Sequence, residues 1–214
     1  MTDRVNPRRY DSTHRQRQAA ETRGRILRAA QELFLRDGYA ATTLAAVAEH
    51  AGVAVQTVYA STRSKRDILK GIVDLAVSGE DEQLPVQAST RWHEIETEPD
   101  PRTKLGMLAR LHGEICAREA PAFTIMADAA GSDPEIRALM RELADQRYRD
   151  HLQLAKALHR SGGLKPRLSA RRAADMISVL ANERTYLVLV DDRHWPVHDY
   201  EAWLAGQLIA SLLA

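Results

Sequence analysis

The sequence has a single cysteine, Cys116, so no disulfide can close within the chain and a zinc site built on paired cysteines is excluded. Long apolar runs are missing too. None is longer than Tyr186–Val190, which is far short of a bilayer span, so no membrane-crossing segment is expected. The arginine-rich start is not followed by an apolar segment and does not read as a secretory signal. No stretch alternates with period two over strand length, and no internal repeat is evident. Glycine-rich phosphate loops and paired-carboxylate motifs are absent. Cys116 has no recognisable base and orienter, which argues against a nucleophilic enzyme. His112 and Cys116 stand at i, i+4 and can share a helix face, but no third metal ligand accompanies them. These absences lead to a cytoplasmic protein that is not an enzyme and needs no metal or cofactor.

What is present is enough for a folded protein. The chain has 214 residues, 44% hydrophobic and 28% charged, which excludes a chain disordered throughout. Its net charge of +1 conceals an asymmetry. Residues 1–70 hold 13 Lys and Arg against 7 Asp and Glu, whereas residues 71–214 hold 17 against 22. A basic first third on a mildly acidic remainder suggests a polyanion partner for one part only.

The punctuation is helical. Residues 1–20 carry Arg4, Arg8, Arg9, Arg15 and Arg17 but no large aliphatic side chain other than Val5, so they read as a flexible basic arm. From about Thr22, Ile26, Leu27, Ala30, Leu33 and Phe34 fall on one helix face, and Gly38 suits its left-handed stop. Thr43 caps a short helix that ends at Gly52, and a second short helix covers Val55–Ala60. Ser64, with Asp67 three residues on, opens a fourth. Beyond these, Pro85 and Pro99 flank one short helix around Ser89–Glu96. Asp100–Pro101 starts a helix running to about Ala117, and Pro121 a shorter one ending near Gly131. Asp133–Pro134 opens a long helix stopped at Gly162–Gly163. Ser169 caps a segment from Ala170 to about Asp191, and the last helix covers Asp199–Leu213. The expected fold is all-α. An arm (1–20) and a three-helix head (21–68) precede a larger helical region (69–214).

Two short helices joined by a glycine turn after a longer amphipathic helix describe a helix-turn-helix. Leu44, Val47, Val53 and Val58 have the spacing of its miniature core, and Ala48 lets the helices approach. The second short helix then presents Val55, Gln56, Thr57 and Tyr59 to a major groove. Gln56 can bond bidentately to adenine, and Thr57 can touch a thymine methyl or a phosphate. Tyr59 suits a phosphate or sugar. Lys65, in the first turn of the next helix, and the amides following Thr43 are suited to phosphates.

The segment Ile26–Leu69 resembles the DNA-binding domain of the tetracycline-repressor (TetR) family. The residues that carry the resemblance are Ala29–Ala30, Leu33–Phe34, Gly38–Tyr39, Thr42–Thr43, Ala48, Ala51–Val53, Thr57–Tyr59, Ser64–Lys65 and Ile68–Leu69. Leu168–Asp175 and Trp195 with Tyr200–Leu204 are similar to one branch of that family. The resemblance implies a homodimeric transcription factor, typically a repressor that leaves its palindromic double-stranded DNA operator when a small molecule fills the C-terminal domain. Three positions depart from the family pattern. Ala54 stands where Ser or Thr opens the recognition helix, which removes an N-cap. Ser61–Thr62 stands where His–Phe is common, leaving Ser61 to reach the phosphate with less length. Pro196–Val197 replaces Ser–Pro before the final helix.

The helices at 170–191 and 199–213 are the expected dimer contact, on the apolar residues Ile177, Leu180, Leu187, Leu204, Leu208 and Leu212. Polar residues on apolar stripes mark a candidate effector pocket, since a buried polar group needs a partner. They are His112, Arg147, His151 and Asn182, with Trp92, Phe123 and Met126 as apolar lining. The competing reading is an all-helical ligand-binding or interaction module that no longer binds DNA.

Overall fold

The computed structural model describes residues 7–78 and 90–214. Arg4 of the arm and Pro85 lie outside the described residues, as do the side chains of Arg8 and Arg9. The chain divides into two compact units, Met1–Ile72 and Val73–Ala214. Among the described residues there is no strand, and one antiparallel bridge pairs Leu164 with Leu213. No helix is long and apolar enough to cross a membrane among the described residues.

The first unit holds α1 (Pro7–Asp37), α2 (Leu44–Ala51), α3 (Val55–Ser61) and the first half of α4 (Lys65–Ser78). Helix α1 begins well before Thr22, so residues 7–20 are helical rather than an arm without structure of its own. Described residues 14–19 are exposed, and the first buried position is Gly24. Apolar periodicity is silent there because this stretch buries nothing. Ala, Gln and Arg have high helix propensity, which permits the extra turns.

Ile26, Ala30, Leu33 and Phe34 of α1, Val47 and Ala48 of α2, Val58 of α3 and Ile68 and Leu69 of α4 are buried. Leu44 and Val53 are only half-buried, so the expected miniature core rests on Val47 and Val58. The turns follow from backbone demands. Gly38 at φ 87° and Gly52 at φ 63° occupy the left-handed region that other residues enter at a cost. At Gly52 the helix closes with amide bonds to the carbonyls of Ala48 and Glu49. Thr42 Oγ1 donates to Gly38 O at 2.9 Å, with Leu33 O at 3.3 Å, and locks the α1–α2 turn from inside.

The second unit holds α5 (Thr90–Thr97), α6 (Pro101–Ala129), α7 (Pro134–Arg160), α8 (Ala170–Leu180), α9 (Glu183–Tyr186) and α10 (Val197–Leu212). Asp100, Asp133 and Ser169 cap α6, α7 and α8 through their side chains. Helix α10 packs mainly on α6, and α7 on α8.

Two helix assignments made from the sequence change. Pro121 does not open a new helix, because α6 continues through it. The ring forfeits one bond to the Ala117 carbonyl, and Ala117 is exposed, so water can take that place. Conversely, 170–191 is not one helix. It breaks at Ala181–Asn182, where Asn182 Oδ1 accepts from Arg184 N at 2.9 Å and starts α9. A π-helical turn, Leu187–Asp192, follows.

Burial also revises the residues expected at a dimer contact. Ile177, Leu204, Leu208 and Leu212 have no exposed surface, so they form the core of this unit and are unavailable to another chain. Val179 (71% exposed) on α8, Val188 (46%) on the π turn and Trp195 (36%) before α10 are the large apolar side chains of this unit left outside, among the described residues.

Candidate DNA-reading helix and regulatory cleft

Helix α3 is short because its apolar content is small. Val58 is buried and anchors it, while Val55 and Thr57 are half-buried. Gln56, Tyr59 and Ala60 point outward at i, i+3 and i+4, and Tyr59 is 57% exposed. The helix starts at Ala54 without a side-chain cap, as the departure from the family pattern implies. At its other end the Thr62 amide and Oγ1 both donate to Val58 O, at 2.8 and 3.0 Å. Thr62 therefore fills its buried position by bonding inward. Ser61 is half-buried at the last turn of α3. Arg63 is exposed just beyond it, a basic residue that the sequence reading passed over between two helix assignments.

Thr43 is exposed at the start of α2, where its hydroxyl accepts from Ala46 N at 3.1 Å. Ser64 Oγ accepts from Asp67 N at 3.1 Å and opens α4. Lys65 is placed differently from a simple phosphate ligand. Its Nζ donates to the carbonyls of Tyr39 (2.8 Å) and Ala40 (3.2 Å) and lies 4.7 Å from the centre of the Tyr39 ring. It ties the α1–α2 turn to α4 and keeps at most part of its hydrogen-bonding capacity for DNA.

In the second unit, an open cleft is lined by Val73, Glu119, Phe123, Met126, Met140, Leu143, Arg147 and Glu183. Of the pocket residues expected from sequence, Phe123, Met126 and Arg147 meet there. Trp92 instead lies in the core with Ile95 and Leu105. Asn182 spends its side chain on the α9 cap. His151 Nδ1 pairs with Ser178 Oγ at 2.9 Å, and that hydroxyl donates to Ala174 O. His151 is therefore the donor, with its proton on Nδ1. His112 Nε2 is 3.3 Å from Cys116 Sγ. Burial raises the thiol pKa and, with His151 and Arg147 nearby, brings His112 down to about 3. The pair is thus a neutral thiol and imidazole, the opposite of an activated nucleophile. Among the described residues no group of three or more metal-ligating side chains assembles.

Glu119 and Glu183 lining the cleft were not among the expected pocket residues. Both are buried, and Glu183 pairs with Arg147 while its Oε2 has no hydrogen-bond partner. Glu183 was legible as a charge interrupting an apolar segment. Glu119 carried no signal, because an acid in an Ala- and Arg-containing stretch of helix reads as solvated.

Burial and the neighbouring Glu183 push Glu119 up to about 8 from 4.5. Burial holds His151 at about 4, from 6.5. The folded cluster therefore keeps a proton on Glu119 and none on the histidines. Unfolded histidines bind protons below pH 6.5 that the folded ones refuse, so acid destabilises. Between about pH 6.5 and 8 the folded Glu119 holds a proton that the unfolded chain has released, so stability falls as pH rises. Urea unfolding should show this cluster's contribution greatest near pH 6.5 and lower by about 1 kcal/mol at pH 8. Glu119→Gln removes the alkaline decline. Stability that is flat or rising over that interval refutes the assignment.

Residues 26–72 match the family model described as bacterial regulatory proteins, tetR family. Comparison with curated proteins yields no significant match. Among solved structures, NalD of Pseudomonas aeruginosa, described as the secondary repressor of the MexAB-OprM multidrug efflux pump, superposes with a TM-score of 0.70 at 21% identity, over 92% of this chain and 98% of that one. A TetR-family regulator from Syntrophomonas wolfei gives 0.72 at 18% identity, over 88% and 93%. A regulator from Saccharomonospora viridis in complex with choline gives 0.66 at 22% identity, over 91% and 99%. At these identities the superpositions establish the fold of the whole chain, and the matched segment spans α2, α3 and the glycine turn between them. Residues 26–72 are thus a DNA-binding segment of the tetR family of bacterial regulatory proteins, in a chain that has the fold of the family's solved members.

Proposed function

We propose that the chain is a homodimeric repressor that reads a palindromic operator with α3 and leaves it when a small molecule occupies the cleft of the second unit. The observation that carries the DNA reading is the solvent-facing Gln56 and Tyr59 on a short helix anchored by Val58. One such helix contacts too few bases for operator-grade specificity, and a symmetric pair on two half-sites supplies the rest. Val179 and Val188 are the side chains we assign to the contact between chains, joined by the half-buried Leu180, Leu187 and Ile209. That NalD is described as a repressor, and that the Saccharomonospora viridis regulator was solved with choline, support the repressor and effector parts. Ligand and DNA then oppose one another because each favours a different spacing of the two α3 helices.

The test is a gel shift with the DNA flanking the chain's own gene. A retarded band of two chains per palindromic duplex is expected. Absence of retardation at any concentration overturns the DNA reading in favour of a module that has lost it. The residues from Arg4 to Arg17 supply backbone charge in this scheme. Deleting residues 2–17 should flatten the salt dependence of binding, and an unchanged slope removes the arm from the mechanism.

A further inference from the structure

The cleft of the second unit has an unusual chemical balance. Phe123, Met126, Met140 and Leu143 supply an apolar wall. Against it stand two carboxyl groups, Glu119 on α6 and Glu183 on α9, and one cation, Arg147 on α7. Arg147 is already paired with Glu183. That pairing satisfies one oxygen of Glu183 and leaves Oε2 buried without a partner, in a residue only 3% exposed. A buried carboxylate oxygen without a donor is costly, and a donor brought by a ligand relieves it.

We propose that this cleft takes a hydrophobic organic cation bearing N–H donors, its apolar body against Phe123, Met126, Met140 and Leu143 and its ammonium between Glu119 and Glu183. The proposal rests on the effector reading above and names the chemical class of that effector. An anionic headgroup is disfavoured, because it meets two carboxyl groups while the one lining cation is committed to Glu183. A neutral alcohol can donate to Oε2 but forms no charge-assisted bond with Glu119.

The groups that set the charge of the site are Glu119, with Arg118 beside it, Glu183 and Arg147. His112, His151 and Cys116 add no charge near neutral pH, since burial keeps them neutral. The cleft accommodates Glu119 as the neutral acid, near 8. An incoming ammonium reverses this. The Glu119 proton leaves to solvent, the carboxylate forms, and a charge-assisted bond replaces a neutral carboxyl. Binding below pH 8 therefore releases one proton, and affinity rises with pH.

Calorimetric titration of the full chain with octylammonium, octan-1-ol and octanoate keeps one tail and changes only the head. At pH 8 octylammonium should bind at least about tenfold tighter than octanol, and octanoate weakest. Octylammonium affinity should fall by about tenfold per pH unit below 8, with one proton released per site. Glu119→Gln, checked as folded by circular dichroism, should lose about tenfold in octylammonium affinity and release no proton. Octanol or octanoate binding as tightly as octylammonium, no binding of any of the three, or an unaffected Glu119→Gln variant overturns the proposal. Operator release, measured in parallel, separates the two readings. If octanoate or octanol binds best and frees the DNA, the cation assignment fails and the effector reading stands. If octylammonium binds as expected and the DNA stays bound, the effector reading fails and the cation site stands.

Discussion

On the proposed function, Gln56→Ala should cost the dimer about 2–6 kcal/mol of operator affinity, because a lost bidentate base contact is worth about 1–3 kcal/mol and would recur in each half-site. The loss should be confined to operator DNA, with affinity for unrelated duplexes nearly unchanged, since phosphate contacts carry non-specific binding. Gln56 is exposed on α3, so the substitution removes no packing and the thermal melt should not move. Tyr59→Ala is the complementary case. At 57% exposure it too leaves the fold intact, but its expected contact is to sugar or phosphate, so it should weaken operator and unrelated DNA together. Competition binding with both duplexes distinguishes the two patterns. Equal losses on both duplexes for Gln56→Ala refute base reading by this residue.

Arg147→Met carries the largest expected effect on stability. It strands the Glu183 carboxylate, 3% exposed, in a cluster that already contains Glu119. Removing one partner of a buried ion pair costs about 3–5 kcal/mol, since the remaining charge keeps its desolvation penalty and loses its counter-ion. Arg147 keeps a third of its side chain in water, 33%, which places the expectation toward the lower end of that range. Arg147→Met combined with Glu183→Leu should recover most of the loss, since no buried charge is then left alone. Urea unfolding of the wild type and the two variants measures it. A single variant within about 1 kcal/mol of wild type shows that the pair does not carry the cluster.

The helix-turn-helix was legible in the sequence for a local reason. Its punctuation consists of residues whose own backbone or side chain decides the outcome. Gly38 and Gly52 take left-handed φ values, and Thr43 and Ser64 cap the helices they precede. Val47 and Val58 are buried at the spacing that turns Gln56 and Tyr59 outward. Each of these is a short-range event, so order and spacing along the chain suffice to read it. The family resemblance over Ile26–Leu69 rests on the same residues, and the matched family segment, 26–72, covers them.

The cleft was legible only in part. Arg147, Phe123 and Met126 come together, whereas Trp92 packs in the core and His151 and Asn182 satisfy themselves on Ser178 and on the α9 backbone. A polar residue on an apolar stripe announces that a partner is needed but not which one, and here a nearby hydroxyl and a helix terminus supply it for two of them. The lining acid Glu119 gave no sign along the chain, because its burial is imposed by elements distant in sequence.

From the sequence alone came the all-helical class, the helix-turn-helix with its outward Gln56 and Tyr59, and the absence of a local catalytic or metal motif, since these depend on residue type and near-neighbour spacing. Tertiary structure decided the passage of α6 through Pro121, the break at Asn182, the withdrawal of Leu204, Leu208 and Leu212 into the core, and the meeting of Glu119, Glu183 and Arg147. The physical reason is burial. Whether a side chain keeps its water, its charge and its freedom depends on which other helices cover it, and that is a property of the folded chain as a whole.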